Sequence, residues 1–360
     1  MSANAPAIRV TPAALRTGRA RITTVIAILA CAAPNVARAD AGGVSFWVPG
    51  MFGSLAAAPG QPGWSLGMIY YHTSVDASRE GAASKQVEIR RFHPSVNLNL
   101  NVDLDARGDL GFFAPSYTFE TPVLGGQLSV SMLTVVGRLK NTLDGTLTAS
   151  LGPLTTTRQG TLSDSVVGFG DLYPQATLKW NSGVHNFMTY ITGDIPVGDY
   201  DPNRLSNIGI GHAAIDGGLG YTYFDPTKGH EFSVVGGLTH NFRNPDTDYR
   251  NGLDLHVDWA ASQWLSKHFF VGVVGYAYQQ LTPDSGQPAI LGDFKSRVFG
   301  IGPQIGYVFP AANGMQGFLG LKGYFEFEAE NRPEGWNAWV TLAFTPAEKP
   351  KVPARPMISK

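Results

Sequence analysis

The sequence predicts an all-β protein, a transmembrane antiparallel up-and-down β-barrel of about 12 strands, within a range of 12–14. Three observations support this prediction. Only 15% of the 360 residues are charged, while 43 residues are glycine and 11% are aromatic. Apolar and polar residues alternate along many segments, which is typical of strands with one apolar and one polar face. Many of these segments run for about 10–15 residues, the length with which a tilted strand crosses a membrane.

The composition excludes several other classes of protein. A disordered chain carries more charge and fewer aromatic residues. A disulfide-stabilised scaffold needs more than the single cysteine, Cys31. A nucleic-acid-binding domain shows basic clusters, and the chain after residue 39 shows no such cluster. We therefore expect no nucleic-acid partner.

Residues 1–39 have the order of a cleaved secretory signal peptide. Four arginines, the last of them Arg21, precede the apolar run 22–33, and Ala37-Arg38-Ala39 places small residues where a signal peptidase cuts. The run is shorter than the roughly 20 residues that a spanning helix needs. Cleavage removes five arginines and no acid, which leaves 22 basic and 28 acidic residues and a net charge of −6. We expect an exported protein that starts at Asp40.

One alternative is left open at the same segment. Ile28-Leu29-Ala30-Cys31 resembles a lipoprotein processing box, which would leave a lipidated Cys31. Cleavage after Ala39 instead leaves a mature chain without cysteine, as suits an oxidising compartment.

The predicted barrel spans residues 64–344. The clearest alternation is Val96–Asp105, where five apolar residues alternate with five polar ones. A weaker candidate is Leu143–Leu151. Soluble sandwiches have shorter strands, with turn signals every ~8–12 residues. The other candidate strands are Trp64–Thr73, Leu110–Glu120, Gln127–Leu139, Val166–Trp180, Val184–Ile195, Ala213–Phe224, Glu231–Phe242, Leu253–Trp264, Phe269–Leu281, Arg297–Phe309, Gln316–Glu328 and Trp336–Phe344.

Two segments lie outside the predicted barrel. Residues 40–63 are apolar but interrupted by proline and glycine, and they form either a plug in the lumen or a strap on the periplasmic rim. Residues 345–360 combine four prolines with Lys and Arg and are expected to be a disordered tail. The last strand ends on Phe344, an aromatic residue of the kind that the barrel-assembly machinery recognises.

Aromatic residues concentrate near the ends of the predicted strands, as in the aromatic girdles of membrane barrels. Ordinary packing within a sheet is the alternative, because aromatic residues favour strands. The residues concerned include Tyr70, Tyr71, Trp180, Tyr221, Tyr307, Tyr324, Phe325, Trp336 and Trp339.

The alternating segment also supplies candidate lumen-lining residues. If Leu98, Leu100 and Val102 face lipid, the opposite face of the strand points into the lumen. That face carries Asn97, Asn99, Asn101 and Asp103. A lumen lined by amides would pass neutral or weakly polar solutes. Alternatively, these side chains only form hydrogen bonds with neighbouring strands.

Motifs of enzymes and cofactor sites are missing from the sequence. There is no G-x-S-x-G, H-E-x-x-H or Walker motif, and the eight histidines lack the spacing of metal ligands. We expect no cofactor, no metal and no catalytic residues. A barrel-embedded lipid hydrolase that uses His240-Asn241 remains the enzymatic alternative.

Three groups of residues resemble the MetA-pathway of phenol degradation family of outer-membrane proteins. The first is the opening segment from Phe46 to Trp64, which includes Pro49 and Gly50 and leads to Tyr70-Tyr71. The second is the turn-to-strand motif 168–174, with Gly170, Asp171 and Pro174. The third is the hairpin tip 192–200, with Gly193, Pro196, Gly198 and Tyr200. The resemblance implies a channel that admits hydrophobic or aromatic growth substrates, and it brings no catalytic residues.

The expected function follows from the predicted fold and this resemblance. We expect a channel in the outer membrane of a Gram-negative bacterium that takes up small organic compounds passively, hydrophobic or aromatic ones among them. Its partners would be outer-membrane lipid, the solutes, periplasmic chaperones and the barrel-assembly machinery. A structural or adhesive barrel with a plugged lumen and a soluble periplasmic sandwich are the non-enzymatic alternatives.

Overall fold

A computed structural model of the chain describes residues 46–76, 97–151, 154–286 and 295–347. The predicted signal peptide, Cys31, residues 40–45 and residues 348–360 of the predicted tail lie outside the described residues. The described barrel strands are β1 (Gly63–Asp76), β2 (Asn97–Thr118), β3 (Gln127–Leu151), β4 (Leu154–Ser182), β5 (His185–Asp194), β6 (Ala214–Asp225), β7 (His230–Asn241), β8 (Leu253–Trp264), β9 (Phe269–Gln280), β10 (Arg297–Pro310), β11 (Met315–Glu330) and β12 (Glu334–Pro346).

These twelve described strands form one closed barrel, which confirms the predicted fold class. Each strand is antiparallel to the next, and β1 closes the barrel against β12, from Leu66 opposite Phe344 to Asp76 opposite Glu334. Closure leaves no open sheet edge, so the ladder can satisfy backbone N–H and C=O groups without water. Outside the ladder, a two-residue pairing joins Tyr249–Arg250 to Ser285–Gly286.

The count is 12 rather than 14 because two pairs of predicted strands merge. The ladder between β2 and β3 runs without a break from Asn97 opposite Ser150 to Phe113 opposite Thr134. The alternating segment and Leu110–Glu120 therefore belong to one strand, and Leu143–Leu151 extends β3. The barrel also begins one residue earlier than predicted and ends two residues later, at Pro346.

The outer face of the barrel carries many large apolar side chains. Along β7 and β8, side chains alternate between buried and more exposed positions, and the outward positions include Phe232, Leu238 and Leu255. Exposed outward positions on other strands are also large and apolar, among them Ile191, Leu219, Val273, Ile301, Leu319, Leu321 and Val340. Such a surface fits the hydrocarbon region of a bilayer. No helix in the described ranges has the length and apolarity required to span a membrane.

The aromatic residues lie on both the outer and the inner face of the barrel wall. For three of them, the expected position in a girdle is wrong. Tyr307 and Phe325 are exposed on the outer face. Tyr71, Tyr324 and Trp339 are buried inside the barrel instead, with at most 9% of their surface exposed. The period of two cannot distinguish these cases, because both faces of these strands carry apolar residues.

A β-bulge interrupts the ladder between β3 and β4. The register shifts between Thr134 and Val136, so that Gly170 and Asp171 of β4 together face one residue of β3. A bulge re-aims side chains, and here both consecutive residues are buried, with Asp171 only 1% exposed. Before the bulge the even-numbered residues of β4 face inward, and after it the odd-numbered residues do.

We predict that the inward glycine Gly300 is needed for a stable wall. A Cβ atom at this position would lie 2.3 Å from Cζ of Tyr276, whose ring is fixed by hydrogen bonds from its hydroxyl to Glu326 and from Asn337. Gly300→Ala should therefore destabilise the barrel by about 1–3 kcal/mol. The measurement is the temperature at which the fast, unboiled band on an SDS gel converts to the slow, boiled band.

Gly160→Ala is the matched control, because a Cβ atom there meets nothing within 4 Å. Equal conversion temperatures for the two variants would contradict the prediction. A protein whose mobility does not change on boiling would contradict the barrel itself.

Candidate functional site: the barrel interior and its two inserted segments

The segment before β1, residues 46–62, lies inside the barrel and is held by charged side chains of the wall. The carboxylate of Asp258 accepts hydrogen bonds from the backbone N–H of Gly50 at 2.9 Å and of Phe52 at 3.0 Å. The ammonium of Lys322 donates to the carbonyl of Gly50, and to those of Met51 and Phe52 at 3.3 Å each. An acid and a base on different strands thus bind the same stretch of main chain, the acid through two N–H groups and the base through three carbonyls. We call Asp258 and Lys322 the clamp.

Further wall residues hold the rest of this N-terminal segment. Glu231 accepts from the hydroxyl of Ser54 at 2.8 Å and from the N–H of Leu55 at 3.0 Å. The N–H of Ala57 donates to the hydroxyl of Thr222 at 3.1 Å. These bonds pair main-chain N–H groups of the segment. Because the segment lies outside the sheet, these groups would otherwise be buried without a partner.

The start of the segment packs on a buried histidine. The rings of Trp47 and His256 stack with centroids 3.7 Å apart. Nε2 of His256 lies 2.9 Å from a carboxylate oxygen of Asp216, which also accepts a 2.6 Å hydrogen bond from the hydroxyl of Thr239. All four side chains are nearly inaccessible, with at most 4% of their surface exposed.

The connection between β5 and β6, residues 195–213, also folds into the barrel. The carboxylate of Asp171, placed by the β-bulge, accepts hydrogen bonds from the N–H of Gly198 at 2.7 Å and of Ile210 at 2.8 Å. Gly198 must lack a side chain, because a Cβ atom would lie 2.5 Å from the backbone carbon of Gly170. Asp164 holds the same loop by accepting from the N–H of Leu205 and of Ser206 at 3.1 and 3.0 Å.

Two titratable groups of this loop differ in their surroundings. Arg204 donates to the exposed Asp199 at 2.6 Å and holds the pKa of that carboxyl below its usual range. Burial lowers the pKa of His212, which keeps the imidazole neutral at neutral pH.

The interior is rich in aromatic side chains. One cluster contains Tyr71 of β1 and Trp339 of β12, the two strands that close the barrel. It also contains residues of other strands and Ile208 of the inserted loop. In this cluster the rings of Tyr71 and Trp339 lie 4.5 Å apart, and those of Tyr276 and Tyr324 lie 4.8 Å apart. A second cluster packs around the N-terminal segment and contains Phe46, Trp47, Met188, Tyr190 and Val235.

The N-terminal segment fills the interior unevenly. Most of the side chains that hold it, among them Thr222, Glu231, Asp258 and Lys322, lie on β6, β7, β8 and β11, while Gln127 of β3 and Lys179 of β4 bind only its last residues, Gly60 and Ala58. On the opposite side, a cavity of about 390 Å³ separates the segment from the wall of β12, β1, β2, β3, β4 and β5. Its lining includes Phe52 and Ala58 from the segment and Ser131, Thr177 and Met188 from the wall.

The residues of the family motifs come together around the inserted segments. Gly170, Asp171 and Gly198 form the contact between the bulge and the loop, and the hydroxyl of Tyr200 accepts a 2.9 Å hydrogen bond from Asn244. Pro49 is buried beside the clamped Gly50. Two others lie in strands: the carbonyl of Pro174 accepts from the hydroxyl of Thr192 at 3.0 Å, and Gly193 pairs with Ile215. Pro196 is exposed at the start of the loop.

Of the four predicted lumen residues, the structure places the side chain of Asp103, and it is not brought to this site. Asp103 is exposed and lies on the same face of β2 as Arg107 and Asp109, opposite to the buried Leu110 and Phe112. The unbroken ladder of β2 fixes this parity, because residues an even number apart share a face. Asn97, Asn99 and Asn101 lie on the backbone of β2, but their side chains are outside the described part of the chain, so their role remains a prediction.

Sequence reasoning missed the clamp, although a signal for it exists. Asp258 stands between Val257 and Trp259, and Lys322 stands between Leu321 and Gly323. A charge that stands between uncharged residues in a strand requires a partner if its side chain faces the interior. The partner of both residues is a segment more than 200 positions away in sequence.

The residues considered for an enzyme do not form one site. His240 faces outward beside Arg250 and Phe242. Asn241 is buried and donates to Asp254 at 2.8 Å and to the carbonyl of Gly252. Within the described ranges, no group of three or more His, Cys, Asp or Glu side chains is arranged to hold a metal ion.

We predict that the clamp keeps the N-terminal segment inside the barrel. Asp258→Ala removes the acceptor of two backbone N–H groups, and leaving buried donors unpaired costs about 1–3 kcal/mol each. The segment should then leave the lumen for part of the time, and ion conductance in planar bilayers should rise several-fold. Asp109→Ala is the control. This carboxylate lies on the outer side of β2 and accepts from Tyr70 and His72 of β1. Equal conductance of the two variants would contradict the clamp.

We also predict that Asp171 holds the inserted loop. Asp171→Ala removes the acceptor of Gly198 and Ile210, so residues 195–213 should detach more often from the wall. Trypsin should then cut after Arg204 faster than in the parent protein, as measured by mass spectrometry of timed digests. Asp246→Ala, an exposed carboxylate of the next loop, is the control and should leave the cutting rate unchanged.

Known proteins resemble this chain in sequence and in fold. Residues 91–342 match the family model described as "Putative MetA-pathway of phenol degradation". No curated protein matches this chain. The crystal structure of the COG4313 outer membrane channel from Pseudomonas putida F1 is similar, with a TM-score of 0.58 at 14% identity over 82% of this chain and 98% of that one. A Pseudomonas aeruginosa FadL homologue aligns at 10% identity over 87% and 97% of the two chains, with a TM-score of 0.39. The chain therefore folds as an outer-membrane β-barrel and belongs to the MetA-pathway of phenol degradation family.

Proposed function

We propose that this barrel takes up small organic compounds passively across the outer membrane, hydrophobic and aromatic compounds among them. The aromatic interior carries the proposal. The wall presents Tyr71, Phe112, Tyr276, Tyr324 and Trp339 to the inside of the barrel. Porins that conduct hydrophilic solutes instead have a polar, water-filled interior.

The cavity beside the N-terminal segment provides the space that such uptake requires. Its volume of about 390 Å³ lies within the ~300–1,000 Å³ range of small-molecule sites. It reaches Gly60 and Thr345, which lie at the end of the barrel where the short turns connect the strands. Short turns mark the periplasmic end of an outer-membrane barrel. A solute in the cavity would therefore lie beside the exit to the periplasm.

The mechanism we propose is diffusion down a gradient, without a cofactor. Apolar solutes gain contact with aromatic rings in the interior, while the two inserted segments exclude a wide column of water. The name of the Pseudomonas putida structure, an outer membrane channel, agrees with a transport role. The growth substrates implied by the family resemblance suggest phenol-like solutes as first candidates.

A structural or adhesive barrel with a closed interior is the second candidate function. It is favoured by the clamp and by the inserted loop, because both fill the lumen with hydrogen-bonded main chain. Such a barrel would give no solute uptake and no conductance in planar bilayers.

Export and assembly remain predictions from the sequence. We propose that the signal peptide of residues 1–39 is cleaved, that periplasmic chaperones carry the chain, and that the assembly machinery recognises the strand that contains Phe344. Amino-terminal sequencing of the purified outer-membrane protein would test the first of these, with Asp40 as the expected first residue.

The uptake proposal predicts that blocking the cavity stops transport. Ser131 faces the cavity, and its neighbour Val130 is 39% exposed on the outer face. Ser131→Trp should reduce the uptake of radiolabelled benzyl alcohol at low concentration to the level of cells without the protein. Val130→Trp places the same ring in the lipid and should leave uptake unchanged. The assay uses cells that lack general porins, with gel mobility confirming that both variants fold.

Equal uptake by the two variants would contradict the role of the cavity. Uptake by the parent protein no faster than by cells without it would favour the closed structural barrel. Deletion of the gene should also slow growth on a scarce aromatic carbon source, and unchanged growth would count against transport.

A further inference from the structure

We infer that the cavity beside the N-terminal segment is a binding site for a small organic anion with an apolar body, such as an aromatic carboxylate. This inference rests on the proposed function, because it names a substrate class for the same cavity. It comes from three observations: an ammonium group without an acid, hydroxyl groups without partners, and apolar side chains in the same lining.

The first observation concerns Lys179, which lines the cavity from β4. Its ammonium donates to the carbonyl of Ala58 at 3.2 Å, and this is its only hydrogen bond to a described residue. An ammonium has three donors, so two are left for a ligand. In the described part of the chain Lys179 forms no ion pair.

Lys322, the other lysine that binds the N-terminal segment, is an example of an ammonium whose donors are paired. It binds three carbonyls of the segment, lies 4.7 Å from the centre of the Trp339 ring, and shares the segment with the carboxylate of Asp258. A cation removed from bulk water needs such partners. Lys179 lacks them, so an anion in the cavity would supply what the protein does not.

The second observation is a group of hydroxyls on the same wall. Ser131 and Thr177 line the cavity, and neither hydroxyl has a hydrogen-bond partner among the described residues. Thr177 is two residues before Lys179 on β4, so the two side chains share a face. Hydroxyl and ammonium donors on one wall suit the two oxygens of a carboxylate.

The third observation is the apolar part of the lining, which distinguishes an organic anion from an inorganic one. Phe52 and Ala58 of the N-terminal segment and Met188, Ala114 and Ala343 of the wall surround the remaining space. An aromatic ring gains from contact with such a surface, whereas chloride or phosphate would not. The lining therefore combines one ammonium group and several hydroxyls with apolar side chains.

The test measures binding to the purified barrel in detergent, so that it does not depend on transport. The probes are 4-fluorobenzoate and its neutral isostere 4-fluorobenzamide, followed by fluorine NMR. The parent protein should bind the benzoate more tightly than the benzamide. Lys179→Gln should weaken benzoate binding by about tenfold, which corresponds to one charge-assisted hydrogen bond, and should leave benzamide binding unchanged.

Two further variants make the result specific. Lys179→Arg keeps the charge and should retain the preference for benzoate. Lys267→Gln removes an exposed lysine in the turn between β8 and β9 and should behave like the parent protein. The gel mobility of unboiled samples shows that each variant is folded.

Equal binding of both probes to the parent protein would overturn the inference, and so would an unchanged preference in Lys179→Gln. Neither result would touch the proposed function, which the uptake of neutral benzyl alcohol tests. Failure of that uptake together with preferred benzoate binding would leave an anion-binding barrel that does not transport neutral aromatic solutes.

Discussion

Closure of the sheet is the constraint on which the rest of this structure depends. In a bilayer no water pairs with the N–H and C=O groups of a strand, so the ladder must join its first strand to its last. Twelve strands then enclose more space than their own side chains can fill, since eight strands are already enough for a filled interior. The chain supplies the missing volume with two segments that leave the sheet, residues 46–62 and 195–213.

Those segments bring unpaired main-chain groups into the barrel, and this explains the buried charges. Asp258, Lys322, Glu231 and Asp171 each bind backbone groups of an inserted segment rather than one another. Charges buried in a pocket often indicate catalysis. Here their partners are peptide groups, so their role is to position main chain in the lumen. The β-bulge belongs to the same arrangement, because it turns Asp171 inward at the point where the loop enters.

The filling of the lumen is asymmetric, and the asymmetry separates two environments. On the side of β6 to β11, charged and hydroxyl side chains bind the N-terminal segment closely. On the side of β12 to β5, the segment faces a cavity lined by small, hydroxyl-bearing and apolar residues. One wall therefore makes most of the bonds to the segment, while the opposite wall binds only Ala58 and Gly60 and leaves room for a solute. An inserted segment and a transport function are compatible in this arrangement.

The sequence by itself determined the alternation, the length of the strands and thereby a closed barrel of about 12 strands, within a range of 12–14, because a period of two and the thickness of a membrane are local requirements. The structure settled the count at twelve described strands. Its short motifs coincide with the bulge and the loop. A Cβ atom at Gly170 would lie 2.1 Å from the side chain of Val135, and one at Gly198 would lie 2.5 Å from the backbone of Gly170. Only the tertiary structure decided which face of each strand points inward. Asp103 was expected in the lumen but lies on the exposed face of β2, and Tyr71, Tyr324 and Trp339 were expected at the membrane surface but lie inside. The reason is physical: alternation defines two faces, and where both carry apolar residues, only closure of the barrel and the segments packed within it determine which face is enclosed.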